Sequence, residues 1–71
     1  MDITDYKLLK WKCIKGKYLY LLETPLKHYA VVLHDTDDFT VLKSQFEWDY
    51  VEGLHTYNKW KEELLTGTEQ I

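Results

Sequence analysis

Arginine is missing from this chain, and all nine of its cations are lysine. Arginine supplies a planar fork that grips phosphate and carboxylate at two points, whereas lysine offers a compact point charge. Its absence argues against specific nucleotide or nucleic-acid readout. Cysteine occurs once, at Cys13, so no disulfide can close within the chain and a reducing, cytoplasmic setting is expected. No apolar run approaches the roughly 18 residues of a membrane-spanning helix, and the opening MDITDY is acidic and polar, unlike a signal peptide. No membrane association is expected. Breakers are scarce too: Pro25 stands alone beside Gly16, Gly53 and Gly67. That leaves no linker, repeat or low-complexity stretch, and residues 1–71 read as one domain. A domain of this size buries only about 60% of its unfolded surface. Its core rarely supplies more than about 3–5 kcal/mol, so small domains often lean on self-association.

What is present is aromatic, β-branched and charged. The net charge is −3, but it is unevenly spread. Residues 1–27 carry six lysines against Asp2, Asp5 and Glu23, while residues 28–71 carry three lysines against nine acids. Halves of opposite sign can attract each other within the fold or between copies.

Period-2 alternation predicts four strands. In Tyr6–Ile14, Leu9, Trp11 and Cys13 point one way and Lys10 and Lys12 the other. Lys15-Gly16-Lys17 reads as a hairpin turn, with Gly16 free to take positive φ. Tyr18–Thr24 sets Leu19 and Leu21 against Tyr18, Tyr20 and Leu22, and Pro25 closes that strand. His28–His34 places Tyr29, Val31 and Leu33 on one face, and Phe39–Lys43 supplies the last strand. Ser44 then opens a helix through a capping box with Glu47. Its apolar stripe runs through Phe46, Tyr50, Gly53, Leu54, Tyr57, Trp60, Leu64 and Leu65, with Gly67 as its left-handed stop. Gly53 on the buried side predicts close approach of helix to sheet. The expected fold is α+β: an antiparallel β-β-β-β-α meander, sheet about 5–43 and helix about 45–65, with the helix on one face.

The stretch His34-Asp35-Thr36-Asp37-Asp38-Phe39 looks most like chemistry, yet it fails each chemical template. A calcium loop starting at Asp35 would find Phe39, Thr40 and Phe46 where ligands or glycine are needed. A zinc site would want more histidine or cysteine, and His28 and His34 are separated by about 20 Å of strand. Asp and Thr bonded to their own backbone make a turn, and no metal or cofactor is expected. Cys13 lacks a base and reads as a small core hydrophobe.

Two surfaces remain. Lys10 and Lys12 are expected to share a sheet face with Tyr18 and Tyr20, and the single helix leaves one sheet face open. Trp48, Val51 and His55 are expected to lie together on the helix, opposite its core stripe, as a tryptophan-centred contact patch. The leading expectation is a non-enzymatic homodimer that binds or inhibits another protein through Tyr18, Tyr20, Trp48, Val51 and His55. The alternative is a binder of a nucleotide or single-stranded nucleic acid through Lys10, Lys12, Tyr18, Tyr20 and His28. In size, missing arginine, single cysteine and abundant aromatics the chain resembles small accessory proteins of phages and mobile elements, without a shared motif.

Overall fold

A computed structural model describes residues 6–67. Four strands, β1 (Lys7–Ile14), β2 (Lys17–Glu23), β3 (Tyr29–Asp35) and β4 (Val41–Glu47), precede one helix, α1 (Tyr50–Thr66). The strands pair antiparallel in the order β1-β2-β3-β4. The fold is the expected α+β meander, with α1 packed on one face.

Local chemistry fixes each connection. Lys15 and Gly16 both take positive φ, at 52° and 77°, the pattern of a two-residue turn that matches strand twist. Thr24 holds the next corner: its hydroxyl accepts from the His28 amide at 3.1 Å, and its own amide donates to the His28 carbonyl at 2.9 Å. The acidic stretch is indeed a turn. The Asp35 carboxylate accepts from the Asp37 amide at 2.7 Å, and the Asp38 carboxylate accepts from the Thr40 amide at 2.9 Å. That last bond holds the Asp38 carboxyl below its ordinary value. Among the described residues no cluster of His, Cys, Asp or Glu could hold a metal ion. None of their helices is long and apolar enough to cross a membrane.

The core lies between sheet and helix. Leu19, Leu21, Val31 and Leu33 from the central strands are fully buried against Tyr57, Trp60 and Leu64 of α1. Gly53 sits at the point of closest approach, where a Cβ would lie 3.0 Å from Tyr29 Cβ and 3.3 Å from Leu21 Cδ1. Gly67 ends α1 at φ 76°, its amide donating to the Glu63 carbonyl.

The last strand and the helix start differ from the sequence expectation. Residues 44–47 continue β4, and the helix begins about five positions later than expected, at Tyr50. Its N-cap is Asp49, whose carboxylate accepts from the Glu52 amide at 2.9 Å. Asp49-Tyr-Val-Glu52 is a second capping signature, and it prevails because β4 pairs with β3 as far as Tyr29↔Glu47. Phe46 therefore belongs to the sheet, where it pairs with Ala30. Tyr50 and Leu65 are substantially exposed.

Candidate functional site: the helix-free face of the sheet

Register decides which side chains share a face, because directly paired residues in a sheet point the same way. The two-residue turn sets Ile14↔Lys17, which brings Cys13 opposite Tyr18 and Trp11 opposite Tyr20. Lys10 pairs with Leu21 and Lys12 with Leu19, both core residues on the helix side. The expected union of Lys10 and Lys12 with Tyr18 and Tyr20 is therefore wrong. A one-residue change of parity moves a side chain to the opposite face, and here it puts the cations behind the tyrosines. Trp11 and Cys13 are likewise exposed on the open face rather than in the core. Leu9 alone stays with the core, because the register shifts between Leu8 and Lys10.

The result is a segregation of charge opposite to the usual one. Antiparallel sheets commonly bury an apolar face and present a polar one to water. In this sheet the charged strand residues Lys7, Lys10, Lys12, Lys17, Glu23, Asp35, Lys43 and Glu47 all occupy helix-side register positions. The helix covers the middle of that side, and the charges ring it. Lys43 shows the arrangement, pairing with Glu63 at 3.4 Å and lying 4.5 Å above the Trp60 ring. The helix-free face carries Leu8, Trp11, Cys13, Tyr18, Tyr20, Leu22, Ala30, Val32, His34, Val41, Ser44 and Phe46. No lysine, aspartate or glutamate stands among them.

Large apolar groups on this face are open to solvent, with Trp11 57% and Phe46 65% exposed. Two adjoining depressions of about 430 and 290 Å³ share Tyr6, Leu22, Val32 and Val41 as their lining. Beside them runs an aromatic cluster. Trp11 meets Tyr18 edge-on at 6.0 Å, and Tyr18 stacks on Tyr20 at 5.9 Å. Tyr20 stacks in turn on His34 at 5.1 Å, and Phe39 closes the row 5.9 Å from His34. Rings at these separations gain about 0.5–1.5 kcal/mol per pair beyond area burial, so the row is a firm platform.

His34 is fixed by hydrogen bonds at both ring nitrogens. Its Nδ1 lies 3.0 Å from the Asp35 carbonyl, which only accepts, and its Nε2 lies 2.9 Å from the Tyr20 hydroxyl. Neutral His34 thus donates from Nδ1 and accepts at Nε2 from Tyr20. Burial, then the neighbouring Tyr18 and Cys13, raise Tyr20 above the ordinary tyrosine value.

The helix patch does not form as expected. Val51 and His55 do line a groove of about 510 Å³ between α1 and the end of β4. Trp48 is elsewhere. It precedes the helix, is 76% exposed, and meets His28 edge-on at 4.6 Å. His28 likewise leaves the Lys/Tyr set, standing about four residues, or 13 Å, along the chain from Val32. Glu47 and Glu52 line the Val51 groove together with Lys59. Asp49, and then a hydrogen bond with Glu47, raise the Glu52 carboxyl above its ordinary value. Glu47 also accepts from the Thr56 hydroxyl at 3.3 Å, which ties α1 to β4. That wiring holds the helix in place.

Sequence reasoning missed Tyr6, Leu8, Trp11, Leu22, Val32, Val41 and Phe46 as members of one surface. The signal was available in the turn: two residues at Lys15-Gly16 force Trp11 opposite Tyr20. No protein family, curated protein or solved structure matches the chain.

Proposed function

We propose that this chain is a non-enzymatic interaction domain that docks onto another polypeptide through the helix-free face of its sheet. The observation that carries this reading is the exclusion of every charged strand residue from a face that exposes Trp11, Val41 and Phe46. Exposed apolar patches of this kind on soluble domains mark interaction sites. Aromatic anchors in desolvated pockets commonly dominate protein binding energy, and the Tyr18–Tyr20–His34 row beside two apolar depressions has that form. Occupying a surface on its target, and so blocking it, is the action suited to such a face. Binding of single-stranded nucleic acid would need cations beside the stacking rings, and Lys10 and Lys12 point away from them.

The test places a photo-reactive phenylalanine analogue at Trp11 in one sample and at Lys12 in another, since these neighbours face opposite ways. After illumination in the cells that make the protein, polypeptide adducts are expected at position 11 and not at 12. Nuclease-sensitive adducts at 11, adducts only at 12, or none at either would contradict the reading.

A further inference from the structure

Resting on that docking reading, we propose that the polypeptide seated on the open face is a second copy of this chain. The two sheets pack face to face about a two-fold axis, with both helices outermost. Size is the first argument. The Cα extents are 33 × 26 × 17 Å, and a sheet carrying one layer of helix is thinnest across its layers. These extents bound the broad face at about 850 Å² in projection, so an interface near the roughly 800 Å² per partner of a standard stable complex would have to take up most of it.

Charge is the second argument. A two-fold axis sets a surface against itself, so any net charge on it would be repelled by its own copy. This face carries no lysine, aspartate or glutamate and meets itself without repulsion. Its polar groups are self-compatible as well, because the Tyr18 and Ser44 hydroxyls can each donate or accept across the axis.

The edges are the third argument. β1 carries Lys7, Lys10 and Lys12 and a register shift between Leu8 and Lys10, and the β3–β4 register shifts between Leu33 and His34. Lysines and bulges on edge strands oppose edge-to-edge pairing. Growth of the sheet sideways is disfavoured, and the face remains. Aligned sheets pack about 10 Å apart with their inner side chains interdigitated. The depressions around Tyr6, Leu22, Val32 and Val41 offer sockets for the partner's Trp11 and Phe46 side chains, which project from the same surface.

Sedimentation equilibrium on the purified chain, from low micromolar to submillimolar, tests this directly. The expected mass is twice 8.6 kDa at the upper concentrations. Val32→Lys should weaken dimerisation by roughly a hundredfold or more, because an isologous interface meets each substitution twice. Phe46→Lys, at an exposed position, serves as the second variant if Val32→Lys fails to fold. Lys12→Ala on the helix side should dimerise as the unaltered chain does. A monomer at every concentration overturns the second copy, while polypeptide adducts at Trp11 would still uphold docking on a different protein. A dimer that survives both face variants also overturns it, since the contact then lies elsewhere.

Discussion

Replacing Gly53 with leucine is expected to leave the domain unfolded in dilute buffer, and Gly53→Ala is expected to weaken it although alanine is the better helix former. A Cβ at this position would stand 3.0 Å from Tyr29 Cβ and 3.3 Å from Leu21 Cδ1. Tyr29 Cβ is bonded directly to the β3 backbone and cannot swing aside, and Leu21 is fully buried. Alanine gains about 1 kcal/mol of helix propensity. Forcing a methyl into a filled core costs about 1–3 kcal/mol, so the net loss should be about 1 kcal/mol. Leucine inserts three further carbons, and its loss should reach the about 3–5 kcal/mol that a core of this size supplies. Urea titration followed by far-ultraviolet circular dichroism reads both. A Gly53→Ala chain more stable than the parent would contradict the close approach of α1 to β2 and β3.

The second large effect separates two neighbours on one strand. Leu33 is fully buried between Leu19 and the helix, whereas Val32 is half-buried on the open face. Leu33→Ala should cost about 2–5 kcal/mol through lost transfer energy and the cavity left behind, enough to unfold much of the population. Val32→Lys, measured dilute enough that no association contributes, should stay within about 0.5 kcal/mol of the parent, as surface changes usually do. Equal losses would mean that both faces of β3 are core, leaving no free surface to explain.

The meander, a hairpin turn at Gly16, the buried Gly53 and the stop at Gly67 were readable from the chain, although the turn was expected over Lys15–Lys17 and takes only Lys15 and Gly16, with Lys17 opening β2. Each rests on a local rule: alternation, positive φ, close approach or a left-handed cap. Two other features were not readable locally. Ser44-Gln-Phe-Glu47 and Asp49-Tyr-Val-Glu52 both have capping form, and only pairing of β4 with β3 chooses the second. That choice moves Trp48 off the helix and separates it from Val51 and His55. The face of Lys10 and Lys12 depends on counting register through the turn, and the bulge at Leu9 conceals the parity that strict alternation would reveal. Three strands were legible in position and the fourth only in part, since it was expected over Phe39–Lys43 and runs Val41–Glu47, while the residue-by-residue partners were not legible. The site is made of partners.

Cys13 provides a native reporter of the central claim, that the uncharged face closes on a second copy of the chain. Its thiol is exposed on that face, paired across from Tyr18. The measurement is the rate constant for its reaction with a neutral aromatic disulfide, taken over rising concentrations of the purified protein. The expected result is progressive protection of the thiol, abolished in Val32→Lys. A rate constant independent of concentration, equal in the parent and in Val32→Lys, would contradict the claim that this face closes on a second copy.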